Sequence, residues 1–220
     1  MIDIFTINKL KTASKCMKKY DFIYNKKFFL PEFNNFADAG SRLHSLINYY
    51  YKGQNIDKLI AILGDDEKIF MDNFIKLGLS APLCSEYSFF VQFEGVWLTG
   101  RMDAIFYSDG KIIIADWKTG NFSHGEDEIF QTIFYLYAAS EIFIKKGIVS
   151  DFSDISMVYY LLKDSSSIKI DFDETLFCEF KKKLKKILEK INYGRYNSDS
   201  HTHCKACEYK NLCKDNLPQE

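Results

Sequence analysis

Three ionisable side chains stand in an otherwise apolar stretch, "GRMDAIFYSDGKIIIADWKTG" from Gly100 to Gly120: Asp103, Asp116 and Lys118. Carboxylate oxygens are hard ligands that suit divalent cations such as Mg²⁺ or Mn²⁺, and an ammonium beside them can meet a phosphate. The spacing brings these groups together. Asp109-Gly110 is a two-residue hairpin signal, and a turn centred there sets Asp103 opposite Asp116. Glu94-Gly95 is a second such turn, which sets Glu86 opposite Asp103. Three acids from three adjacent strands then fall in one transverse row. Lys118, two positions past Asp116, points to the same face.

Directly opposed residues stand about 4.5–5.5 Å apart at Cβ, where like charges repel. The row is stable if a cation binds it or if protons neutralise part of it. The other arrangement open to it is solvation of one acid at the sheet edge, with another paired to Arg101 or Lys118. The opposite hairpin face, Met102, Ala104, Phe106, Ile113, Ala115 and Trp117, is apolar and is expected to pack on a helix.

The elements that must position this row can be read from hydrophobic period. Residues 6–30 read as helical, with Leu10, Met17, Tyr20 and Ile23 at helical spacing. Two more helices are expected over 38–51 and 57–76, then a strand meander from Cys84 to Lys118. Residues 126–146 return to helix, "ISMVYYLL" reads as a buried strand, and "TLFCEFKKKLKKILEKI" is an amphipathic helix. Without a linker, repeat or low-complexity tract, residues 1–220 read as a single domain. The order of helices, antiparallel meander, helix, strand and helix predicts a mixed α/β domain.

Cys204, Cys207 and Cys213 form a C-x2-C-x5-C trio that lacks a fourth ligand. Cys16 would complete it and tie the N-terminal helix to the tail. Four thiolates suit either a [4Fe-4S] cluster or Zn²⁺, and His201 and His203 beside the trio offer a Cys₃His zinc site as the alternative. Cys84 and Cys178, at a strand start and on an apolar helix face, read as buried thiols.

A net charge of -1, from 29 Lys and Arg against 30 Asp and Glu, excludes a wholly cationic nucleic-acid binder. It leaves room for a local basic groove. The helix holding Lys181, Lys182, Lys183, Lys185, Lys186 and Lys190 shows either a solvated face or a set of phosphate contacts. No apolar run approaches the roughly 20 residues that span a bilayer, so no membrane partner is expected. The N-terminus lacks a secretory pattern, and a cytoplasmic protein with reduced thiols is expected. No G-x-x-x-x-G-K-[ST] occurs, so any helicase activity would come from a partner.

"GRMD…ADWKTG" resembles the core of PD-(D/E)XK nucleases, specifically the RecB-like branch. "GSRLH" (Gly40 to His44) is similar to that branch's Gly-x-x-x-His helix, and "QTIFY" (Gln131 to Tyr135) to its Gln-x-x-x-Tyr helix. Cys16 with "CKACEYKNLC" is similar to the split four-cysteine iron–sulfur arrangement of Cas4, the AddB nuclease domain and exonuclease V. Met17 replaces the usual proline after the first cysteine. Asp116 stands where Cas4 typically has Glu, so "DWKTG" is closer to the AddB and RecB form.

The resemblance implies a restriction-endonuclease-like α/β core, with a central mixed sheet flanked by helices and the chain ends joined by the iron–sulfur site. The Cys16 region and residues 201–214 would form that element. It implies Mg²⁺ or Mn²⁺ held by His44, Asp103, Asp116 and the Trp117 carbonyl, with Lys118 positioning the attacking water. Gln131 and Tyr135 would shape the site and hold the strand, and Glu86 fits a further acidic position. The implied activity is metal-dependent hydrolysis of DNA, as an exonuclease that prefers a single-stranded end, in repair, recombination or CRISPR adaptation. Its implied partners are a helicase or CRISPR adaptation proteins. The alternative is a non-catalytic or partner-dependent DNA-binding subunit stapled by Fe–S or Zn.

Overall fold

Both hairpin turns form where the sequence places them in the computed structural model, which describes residues 3–30, 35–120, 122, 125–194, 196 and 202–213. Glu94 (φ 43°) with Gly95 (φ 87°), and Asp109 (φ 52°) with Gly110 (φ 74°), take the paired left-handed conformations of type I′ turns. These turns match the natural twist of the strands they join.

Six strands make one mixed sheet: β1 (Ile4–Thr6), β2 (Cys84–Phe93), β3 (Val96–Ser108), β4 (Lys111–Lys118), β5 (Ile155–Leu161) and β6 (Ser166–Asp171). The helices are α1 (Ile7–Lys15), α2 (Met17–Tyr20), α3 (Asn35–Tyr51), α4 (Asp57–Ala61), α5 (Asp65–Lys76), α6 (Glu126–Phe143) and α7 (Glu174–Asn192). The long strand β3 organises the sheet. One edge of it pairs antiparallel with β2 from Val96 to Ile105. Its other edge is shared: β1 runs parallel along residues 97–99, and β4 antiparallel along 104–108. Between these two partners, residues 100–103 of that edge have no ladder. β4 continues in parallel with β5, reached through α6, and β6 closes the sheet antiparallel to β5.

Helices cover both faces, the layering expected when each sheet face must bury its apolar side chains. Leu10 of α1, Phe134 of α6 and Leu184 of α7 pack with Ile105, Ile112 and Ile114 on one face. On the other, Leu43 and Ile47 of α3 and Met71 and Phe74 of α5 pack on Ala104, Ala115 and Trp117. Met102, expected with that second set, joins the first cluster. No helix among the described residues is long and apolar enough to cross a membrane.

The fold departs from the sequence reading in several elements. The expected helix over 57–76 is two helices, because Gly64 takes an extended conformation and its N–H bonds Glu67 Oε2 at 3.0 Å. Residues 6–30 break at Cys16, whose extended backbone ends α1 and whose sulfur accepts from the Lys19 N–H at 3.4 Å. α6 ends at Phe143 rather than 146. β1 and β6 are short strands that the sequence reading did not anticipate.

Gly100 of β3 has a steric reason to be glycine. A Cβ there would stand 2.8 Å from Phe89 Cζ and 3.4 Å from Phe134 Cε1. Phe89 is buried among Phe134 and Tyr135 and cannot swing away. Gly100→Ala is expected to cost about 1–3 kcal/mol by overpacking, visible as a lowered denaturant midpoint. An unchanged midpoint would show that Phe89 has room to move.

Candidate active site

The chemistry-bearing residues meet where β3 and β4 part. Their ladder ends at Ala104 opposite Ala115, while β4 stays paired to β5 as far as Lys118 opposite Leu161. Asp103 and Asp116 therefore flank a fork instead of facing each other as a ladder pair. In the fork, Asp103 Oδ2 accepts from the Trp117 N–H at 3.1 Å, so a carboxylate replaces the missing backbone partner. The Trp117 ring, packed against Phe74 and Tyr160 with centroids at 5.3 Å, anchors the backbone between Asp116 and Lys118.

His44 reaches the fork from α3. Its Nδ1 lies 3.2 Å from Asp103 Oδ1 and its Nε2 2.9 Å from the Trp117 carbonyl oxygen. Both ring nitrogens thus face acceptors, and only the doubly protonated imidazolium can donate to both. Burial works against that charge, but the hydrogen bond to Asp103, the charges of Asp103 and Asp116 and the Trp117 carbonyl outweigh it and raise the His44 pKa.

Asp116 is buried at 8% exposure. Burial first, then the charge of Asp103, pushes its pKa from 3.8 up to about 6, against the lowering effect of Lys118. Lys118 Nζ lies 2.9 Å from Asp116 Oδ2. That oxygen still lacks a well-angled hydrogen bond, so the cation compensates its charge without satisfying its lone pairs. The Lys118 ammonium also stands over the Tyr159 ring at 5.3 Å, and the Tyr159 hydroxyl is 2.8 Å from Thr132 Oγ1 of α6.

Glu86 shows the strain of the row. The β2–β3 register is the same on both sides of it, yet Glu86 itself has φ 52° and drops out of the ladder. A non-glycine residue in that region costs on the order of 1–3 kcal/mol and marks candidate functional sites. Its Oε2 pairs with Arg101 Nε at 2.6 Å, while burial, the larger cause, and Asp103 raise its pKa despite Arg101. Glu86, Asp103 and His44 offer ligand atoms that lie within 4.8 Å of one another. Clustering and pairing to Arg101 and Lys118 therefore coexist. A donor set of carboxylates, an imidazole and a backbone carbonyl, with a buried carboxylate oxygen short of partners, fits a divalent cation.

Gln131 and Tyr135 sit one turn apart on α6. Gln131 lines a cleft of about 750 Å³ together with Lys118, and its Oε1 accepts from Lys11 Nζ of α1 at 2.5 Å. The Tyr135 hydroxyl is held protonated well above the usual range, by burial first and then by the charges of Asp116 and Asp103. Lys11 is the functional candidate that the sequence reading missed, since a lysine on a short helix five residues before Cys16 carries no motif. Gly40 lies mid-helix with nothing among the described residues within 4 Å of a Cβ added there. Gly40→Ala should raise stability by roughly 0.5–1 kcal/mol, read as a higher melting temperature. A fall would mean the fold itself needs the space.

The cysteine elements approach each other. Tyr209 stacks on Phe22 at 5.8 Å and donates its hydroxyl to the Phe28 carbonyl at 2.9 Å. Lys19 pairs with Glu208 at 2.7 Å, and Cys213 is buried beside Phe22 and Tyr209, with Cys207 against them. The tail is thus docked on the segment that follows Cys16. Among the described residues, no three of the cysteine sulfurs form a group within 4.8 Å of one another. His201 and the His203 side chain lie outside the described residues.

A protein described as "Putative exonuclease", from Eubacterium rectale, superposes with a TM-score of 0.58 at 10% identity, over 99% of this chain and 90% of that one. A second solved structure, SSO0001, superposes with a TM-score of 0.49 at 15% identity, over 99% of this chain and 89% of that one. No curated protein matches the sequence. The family model for the PD-(D/E)XK nuclease superfamily matches residues 76–214, more than half of the chain and including Glu86, Asp103, Asp116 and Lys118. The chain belongs to the PD-(D/E)XK nuclease superfamily.

Proposed function

We propose that the fork is the centre of a metal-dependent deoxyribonuclease, an exonuclease of the RecB- and Cas4-like type that prefers single-stranded ends. The observation that carries this reading is the buried Asp116 beside Asp103 and a His44 whose two ring nitrogens face the Asp103 carboxylate and the Trp117 carbonyl. Burial and the charge of Asp103 both favour the protonated form of Asp116, the effect that a cation's charge would reverse. Asp103, Asp116, His44 and the Trp117 carbonyl would hold Mg²⁺ or Mn²⁺, with Glu86 as a further acid. A bound divalent ion lowers the pKa of water and polarises a phosphoryl oxygen.

The chain's own groups account for the rest. Lys118 presents its ammonium to both Asp116 and the cleft, where it can orient a water and offset charge on a phosphate. Tyr135 stays a protonated donor throughout the working pH range, and Gln131 contributes its amide to the wall that a strand would follow. The four cysteines fit a [4Fe-4S] staple, since the tail is docked on the segment that follows Cys16. Residues 1–220 then act as one catalytic domain. A helicase or CRISPR adaptation proteins would supply strand opening or delivery in repair, recombination or spacer acquisition.

Two experiments test this. Single-stranded DNA, duplex DNA and RNA, each labelled at either end, should be offered to protein purified without oxygen. Mg²⁺-dependent shortening of single-stranded DNA from one end is expected. Internal cuts would overturn the exonuclease assignment, and binding without cleavage would favour a partner-dependent subunit. Iron and sulfide analysis of the brown protein should give about four of each per chain, lost in Cys213→Ser. A colourless protein containing zinc would overturn the cluster.

A further inference from the structure

The cleft beside Lys118 has a wall that the nuclease motifs do not use. α1 contributes Lys11 and Lys15 to it and α7 contributes Lys183, while Glu126 and Asp127 from the first turn of α6 line the same cleft. Lys15 is already committed, in an ion pair with Asp127. Lys183 stands over the Phe130 ring at 4.7 Å with its ammonium exposed. Lys11 differs from both. Its ammonium is half-buried, and the group that accepts from it, the Gln131 amide, is neutral. Because lysine can only donate, this bond turns Oε1 of Gln131 toward α1 and leaves the amide N–H donors facing away from Lys11.

A cation drawn out of water needs an anion or several acceptors to offset the lost solvation. Burial lowers the Lys11 pKa, and the nearby Lys118 adds to the lowering while Asp127 opposes it. Lys11 and Lys118 thus stand on one cleft, Lys118 paired with the Asp116 carboxylate and Lys11 donating to the neutral Gln131 amide. Phosphates repeat along a nucleic-acid strand, so a strand cut at Lys118 places a neighbouring phosphate within the same cleft.

We propose that Lys11 and Lys183 form a phosphate clamp that positions the backbone next to the phosphate being cut. Lys11 and Lys183 are positioning residues, and the inference rests on the nuclease reading of the fork. The clamp would also link the Cys16 end of α1 to substrate binding, since Lys11 and Lys15 lie on the helix that ends there.

The test is the salt dependence of binding, which a purely structural lysine would not move. Each phosphate neutralised on a single strand contributes about -0.7 to the slope of log K against log[salt]. Binding of a fluorescent single-stranded oligonucleotide should be followed in EDTA, where no cleavage occurs, across a range of salt. The same oligonucleotide should be used for KM in Mg²⁺. Lys11→Gln and Lys183→Gln should each flatten the slope by about 0.7, and Lys11→Arg should keep it. Melting temperatures of all variants control for folding. If both Gln variants keep the wild-type slope and KM while the wild type cleaves, the clamp is wrong and the nuclease stands. If the wild type neither binds nor cleaves DNA, both readings fall together.

Discussion

Lys118→Ala is expected to lower the cleavage rate roughly a thousandfold, the scale lost when one preorganised charge-stabilising donor is removed from an active site. The effect should fall on kcat more than on KM, because Lys118 stands next to the buried Asp116 at the fork, where charge would develop on the phosphate being cut. Folding should persist. Lys118 is 27% exposed at its side chain, so its ion pair is partly screened by solvent. Its loss leaves Asp116 without its cation, which moves that carboxylate further toward the protonated form and weakens its hold on a metal. Steady-state rates at saturating Mg²⁺, compared with circular dichroism of the same variant, check this. A variant with wild-type kcat would remove Lys118 from the chemistry.

The second large effect is the coupling between metal and pH. The Asp116 pKa is raised from 3.8 to about 6 on folding, so the metal-free folded protein binds this proton more tightly than the unfolded chain does. Stability therefore falls as pH rises from about 4 through about 6. The His44 pKa is also raised, so its contribution is present below its ordinary value of 6.5 and is lost as pH rises through the folded value. Both groups make the metal-free protein less stable toward neutral and alkaline pH.

A divalent cation competes with those protons for the same atoms. Mg²⁺ or Mn²⁺ should thus raise the melting temperature little at pH 5 and several degrees at pH 8, with protons released on binding. Melting curves with and without the ion at the two pH values decide it. An equal shift at both would mean that the ion binds elsewhere, away from Asp116 and His44.

The hairpins carried most of what the sequence could say about the site. Two type I′ turns made from an acidic residue and glycine set the register, and with it the convergence of Glu86, Asp103 and Asp116. The fork between β3 and β4 was not legible, because it depends on β5 holding the end of β4 and on His44 arriving from α3. The left-handed backbone of Glu86 follows from the same crowding and leaves no local signal. β1 has only three residues and β6 is mostly polar, so neither rises above its surroundings by hydrophobic alternation. The break at Gly64 was marked by glycine, but apolar residues at helical spacing on both sides masked it. Lys11 joins Gln131 across 120 positions of sequence, a contact that no spacing rule reaches.

Phosphodiester hydrolysis at the fork should depend on a divalent metal held there. The decisive measurement is cleavage of end-labelled single-stranded DNA by the wild type and by Asp116→Asn, each in Mn²⁺ and in EDTA. Products are expected only from the wild type with Mn²⁺, with Asp116→Asn folded but inactive. Cleavage that survives EDTA, or that Asp116→Asn retains at the wild-type rate, would contradict it.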